Sequence, residues 1–123
     1  MQRVVELVPS DVNGLCFCHR TCASRGGIDI PSATEKLAPN ITMANLRDVT
    51  GELPSFKESF IDDGKTEMVA CMAAYLNCPN DFVIRPEHVL TLARDGAQNP
   101  GYKTLGRQHA IGYMQGPVHA LER

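Results

Sequence analysis

Apolar and polar positions change rhythm several times along this chain. Arg3 to Val8 is a short β-rich run, stopped by Pro9 and the turn cluster Ser10-Asp11-Val12-Asn13-Gly14. No proline interrupts Leu15 to Arg25, and Gly26-Gly27 is a strong stop, so the pattern predicts a helix over 15–25. A short helix over Ala33–Ala38 ends at Pro39. Asn40 or Thr42 then caps a helix from Met43 to about Thr50, stopped by Gly51, and Pro54 to Ile61 adds a further helical turn. The clearest helix is Thr66–Leu76, where Met68, Val69, Met72, Tyr75 and Leu76 recur at helical spacing among alanines. Phe82–Ile84 and Val89–Ala93 read as strands, with Pro86 an alternative helix start, and Asp95–Gly101 as a loop. The tail alternates like a hairpin: His109–Met114, a Gln115-Gly116 turn, then Val118–Glu122. The order is a strand, several helices, then strands: an α+β plan with helices and sheet segregated.

Composition narrows the class. A chain of 123 residues that is 43% hydrophobic and 21% charged is an ordinary globular domain, and residues 1–123 read as one. A net charge of -2 and a pI near 6.0 argue against a phosphate-driven nucleic-acid binder. The longest apolar run, Met68 to Leu76, is far short of a membrane span. The N-terminal residues lack the apolar stretch of a secretory signal. With five cysteines, an odd number, reduced thiols and a cytoplasmic location are the expectation.

Three of those cysteines, Cys16, Cys18 and Cys22, crowd together. If Asn13 caps the 15–25 helix, Cys16 falls in its first turn, where unpaired N–H groups and the helix dipole favour a thiolate nucleophile. The bland alternative is a small buried hydrophobe. In the expected hairpin His109 lies directly across from Glu122, close enough for the carboxylate to orient the imidazole. His88 is a substitute base without an acidic cross-strand partner, and His19 reads as a packed helix residue. Cys16, Cys18, His19 and Cys22 are potential zinc ligands, but their spacing fits no familiar zinc site and a helix would splay them. The expectation is therefore no metal and no cofactor.

The layout resembles that of compact papain-like cysteine peptidases. NGLCFCHRTCASRGG is similar to the nucleophile helix of Josephin-type deubiquitinases and of the double-glycine peptidases that process bacteriocins. RQHAIGYMQGPVHALE resembles the histidine strand, turn and acid strand of that superfamily and of viral papain-like leader proteases. N-G-L-C-F is similar as well to the motif of ovarian-tumour-type deubiquitinases. The resemblance implies a papain-like α+β fold, with an N-terminal helical part carrying the nucleophile against a small antiparallel sheet that ends in a hairpin. It also implies Cys16 as nucleophile, His109 as general base and Glu122 as the orienting acid. The oxyanion position falls on Asp11, where a carboxylate is out of place, and Asn13 is the substitute.

The expected activity is a thiol hydrolase cleaving a peptide or isopeptide bond in a protein substrate, such as a ubiquitin-like protein or a polyprotein. Glutamine deamidation or transglutamination would use the same site. The competing classes are a non-enzymatic binding or regulatory protein of a virus or mobile element, and a zinc-stabilised interaction domain. No nucleic-acid or membrane partner is expected.

Overall fold

The computed structural model describes residues 2–96 and 98–122. Its elements are α1 (Gln2–Leu7), β1 (Leu15–Cys18), α2 (His19–Arg25), α3 (Ile30–Leu37), β2 (Ile41–Leu46), β3 (Asp48–Glu52), β4 (Ser55–Ser59), α4 (Met68–Leu76), β5 (Val83–Pro86) and α5 (Thr104–Leu121). A 3-10 turn, Ala38–Asn40, links α3 to β2.

Alternation with period two decides the strands. In β1, Leu15 and Phe17 are buried while Cys16 is exposed and Cys18 half-buried. β5 keeps this rhythm, while the central strand β2 buries Ala44, Asn45 and Leu46 in succession, and the three form one parallel sheet in the order β1-β2-β5. Phe17, Ala44 and Ile84 share a row of the register and face the core; Cys18, Asn45 and Arg85 form the next row and face the other way. Parallel neighbours need crossovers, and α2–α3 and α4 supply them. The core lies between the sheet and its helices, with Phe17, Ile41, Leu46 and Cys71 fully buried. The opposite face carries Cys16, Val83 and Arg85 in exposed positions.

Between β2 and α4 the chain makes the antiparallel hairpin β3–β4. Asp48 ties it down: one carboxylate oxygen accepts from Val49 N (2.7 Å) and Thr66 Oγ1 (2.9 Å), the other from Thr66 N (2.7 Å). This buried acid is fully partnered, as a buried acid must be.

Several expectations are corrected. Arg3–Leu7 is helical, within α1, and Val8 follows it, its carbonyl met by Asn13 Nδ2 at 2.8 Å. The 15–25 helix is a strand followed by a helix, so Cys16 sits in β1 and not at a helix start. The helices expected over 43–50 and 54–61 are β2, β3 and β4, since packing on neighbouring strands overrides local propensity. Val89–Ala93 is irregular. The loop read over 95–101 includes Ala97, which lies outside the described residues.

The largest correction is the tail. Residues 104–121 form one helix, α5, despite Gly106, Gly112, Gly116 and Pro117. Gly106, Ala110 and Met114 are buried at a spacing of four, and Val118 packs partly buried against the same core. That stripe outweighs the glycines. It also removes the antiparallel sheet and the His109–Glu122 pairing, because thirteen helical residues separate the two by roughly 20 Å.

His19 is fully buried, with Nε2 2.7 Å from Tyr75 Oη. Burial lowers its pKa from 6.5 to about 4. An unfolded histidine takes up its proton near pH 6.5, so the unfolded state binds more protons between those values. Stability therefore falls as pH drops through 6.5 towards 4, by about 3 kcal/mol in full. Urea unfolding at pH 7 and 4.5 should show this loss in the wild type and a much smaller one in His19→Phe. In α5, a β-carbon at Gly112 meets nothing, whereas at Gly106 it would run into the Leu90 carbonyl and the Val89 side chain. Gly112→Ala should stabilise by about 0.5–1 kcal/mol, and Gly106→Ala should destabilise by about 1–3 kcal/mol, in the same assay.

Candidate active site at the strand ends

In a parallel sheet the carboxyl ends of the strands point to one side, and the side chains that follow them gather there. Here those ends deliver Cys18 from β1, Asn45 and Arg47 from β2, and Arg85, Glu87 and His88 from β5. Glu87 N donates to Leu46 O at 3.3 Å, which carries the β2–β5 ladder one step further and fixes Glu87 beside Arg47.

Arg47 is the centre of the cluster and only 8% exposed. Its Nη1 donates to Glu58 Oε1 at 2.6 Å and lies 2.6 Å from His88 Nδ1. Its Nε makes an ion-pair contact of 3.0 Å with Glu87 Oε2, without hydrogen-bond alignment. Glu58 comes from β4, so the hairpin reaches over the strand ends to supply a second carboxylate. Arg20, at the start of α2, stacks over the Phe56 ring and lies 3.9 Å from the same Glu58 oxygen. The Cys18 thiol donates to Glu87 Oε2 at 3.6 Å.

A guanidinium has only donors, so the contact with Arg47 requires His88 Nδ1 to accept. The ring proton then sits on Nε2, which donates to Tyr102 Oη at 2.6 Å. Tyr102 is exposed and, having accepted from His88, keeps its own O–H as a donor for another partner. Along the open sheet face, Arg85 Nε donates to Asn45 Oδ1 (2.7 Å) and Asn45 Nδ2 to Cys16 Sγ (3.4 Å).

The residues expected to form a peptidase site do not meet. Cys16 lies on the open face of β1 with Asn45 as its partner. His109 is on α5, bonded to Asp62 at 3.1 Å, an interaction that lowers the Asp62 pKa. Glu122 is the C-cap of α5. Asp11 and Asn13 lie in the turn before β1, at the far end of that strand from Cys18, and Asn13 serves the end of α1. Of the thiols, burial raises Cys22 and pushes Cys71 up to about 11, while all five remain free. Of the possible zinc ligands Cys16, Cys18, His19 and Cys22, His19 lies in the core. Among the described residues no three histidine, cysteine or acidic side chains converge as metal ligands; Cys18 and Glu87 are a pair.

His88 is the histidine that the sequence offered as a substitute, and it is the one at the strand ends. Arg47, Glu58, Glu87 and Tyr102 went unnoticed. The signal for two of them was present: NLRD and RPEH each follow an apolar strand with a burst of charge.

Comparisons with known proteins agree with this geometry and not with a peptidase. The sequence model of the D-mannonate dehydratase (UxuA) family matches residues 1–123. Mannonate dehydratase 2 of Agrobacterium fabrum is 27% identical over 135 residues, covering 100% of this chain and 34% of that protein. The mannonate dehydratase of Brachyspira hyodysenteriae is 30% identical over 124 residues, covering 98% of this chain and 35% of its own. The crystal structure of mannonate dehydratase from Streptococcus suis serotype2 superposes with a TM-score of 0.88 at 25% identity, over 98% of this chain and 36% of that one. The chain thus spans about a third of the length of the relatives it matches. The papain-like fold, the thiol hydrolase activity and the protein or peptide partner are all overturned by these matches. They rested on the order of a cysteine and a histidine along the chain, and the histidine's strand is a helix.

Arg47→Met keeps most of the buried stem and leaves Glu58 and Glu87 facing each other without the cation between them. The variant should lose about 2–4 kcal/mol in urea unfolding at pH 7, and a loss below about 0.5 kcal/mol would show the pairings to be incidental.

Proposed function

Because the chain belongs to the D-mannonate dehydratase family, we propose that it contributes the strand-end cluster around Arg47 to an enzyme that removes water from D-mannonate. The family match over residues 1–123 carries this reading, and the chemistry of the cluster supports it.

Dehydration of a sugar acid removes a proton from the carbon beside the carboxylate and the hydroxyl from the next carbon. The carbon–oxygen bond breaks as the carbon–carbon double bond forms. The leaving hydroxyl takes a proton and departs as water, and the resulting enol collects a proton to become a 2-keto acid. Such a site needs a cation for the carboxylate, a base, and an acid for the departing hydroxyl. Tyr102 and His88 fit the acid: the phenol O–H protonates the leaving oxygen while His88 Nε2–H, 2.6 Å behind, stabilises the phenolate. Arg85, exposed on the open face and oriented by Asn45, is suited to the substrate carboxylate. Glu87, beside Cys18, supplies a carboxylate at the same mouth. The partner in this reading is a small polyhydroxy acid, not a protein. Five free thiols support a cytoplasmic setting, and no described helix is long and apolar enough to cross a membrane.

Incubation with D-mannonate should generate a 2-keto acid, followed by its semicarbazone absorbance. Tyr102→Phe and His88→Gln should each lower the rate by about 100-fold or more. In NMR titrations D-mannonate should shift the signals of Arg85, Glu87, His88 and Tyr102. Neither turnover nor shifts at these residues would overturn the assignment.

A further inference from the structure

The hairpin β3–β4 is no part of the parallel sheet, yet it places one carboxylate in the middle of the strand-end cluster. Glu58 Oε1 is 2.6 Å from Arg47 Nη1, 3.7 Å from His88 Nδ1 and 3.9 Å from Arg20 Nε. Left to themselves, a carboxylate and an imidazole at that separation would pair through an Nδ1 proton. Arg47 prevents this by standing between them and donating to both. The guanidinium in turn has two anchors, Glu58 on the hairpin and Glu87 on β5, and only the Glu58 contact is a well-aligned hydrogen bond.

We propose that Glu58 is a positioning residue for the dehydration. By holding Arg47 against His88 Nδ1 it keeps the imidazole in its Nε2–H tautomer, aimed at Tyr102. The polar partners of Glu58 among the described residues are Arg47, Arg20 and His88, not Tyr102, so it acts through Arg47. The inference rests on the reading of His88 and Tyr102 as the proton-transfer pair, but the tautomer is measurable without substrate.

The experiment compares wild type, Glu58→Gln and Glu58→Ala, with Lys57→Ala on the exposed side of the same strand as control. Ring 15N shifts of His88 report which nitrogen carries the proton. The wild type and Lys57→Ala should show the Nε2–H form alone, Glu58→Gln a minor population of Nδ1–H, and Glu58→Ala a mixture of both. With D-mannonate, kcat should fall about 10-fold to 100-fold in Glu58→Ala with KM changed less than about threefold, and Glu58→Gln should lie between. An unchanged Nε2–H tautomer in Glu58→Ala, with the fold intact by circular dichroism, overturns the proposal whatever happens to the rate. So does a mixed tautomer with undiminished kcat. If wild type fails to dehydrate D-mannonate, the functional reading falls, and with it the catalytic purpose of Glu58. The tautomer shift then still decides whether Glu58 holds His88.

Discussion

One guanidinium organises the polar end of this molecule. Arg47 follows directly on β2, the central strand, and is nearly buried, yet it is surrounded by two carboxylates and a histidine from two other segments, β4 and the residues after β5. A buried cation without such partners would be strongly destabilising, and two carboxylates at this spacing without the cation would repel. The hairpin, the end of β5 and the residues beyond it are therefore committed to fixed relative positions by a single side chain. The resulting order is what allows a particular histidine tautomer to be assigned from heavy-atom geometry.

The rest of the fold serves this convergence. Parallel pairing sends the ends of β1, β2 and β5 to the same side, so three stretches distant in sequence present their following residues together. Period-two alternation separates the two faces: Phe17, Ala44 and Leu46 go to the helices, while Cys18, Asn45 and Arg47 go to the other side. Asp48, at the start of the hairpin that carries Glu58, is bonded to Thr66 in the segment leading into α4 and so ties the two together.

The legible parts of the sequence were those where one periodicity was unopposed. The helix over Met68–Leu76 and the strand near Val83–Ile84 were found because alanine-rich helical spacing and a β-branched run had no competitor. Leu15–Cys18 was missed because four residues are too few to show a period before the helix of His19 begins. The tail misled through its glycines and Pro117, which look like a turn until Gly106, Ala110 and Met114 are seen to bury at intervals of four. The site failed for a different reason. Cys16 and His109 are chemically conspicuous, and a search led by nucleophiles finds them first. The cluster that assembles consists of Arg47, Glu58, Glu87 and Tyr102, ordinary charged and polar residues whose meaning lies in tertiary proximity that only parallel pairing creates.

That contrast bears on how much a lone thiol is worth as a clue. Cys16 is exposed and free, yet its hydrogen-bond neighbour is an amide, Asn45, and not an imidazole. Cys18, two residues on, shares the strand face, and its thiol is a hydrogen-bond donor to the Glu87 carboxylate. Activation of a cysteine demands a base or a cation in contact with sulfur. The cation is present in this structure, but it is engaged by Glu58, Glu87 and His88. The charge network thus commits Arg47 to oxygen and imidazole partners and not to sulfur.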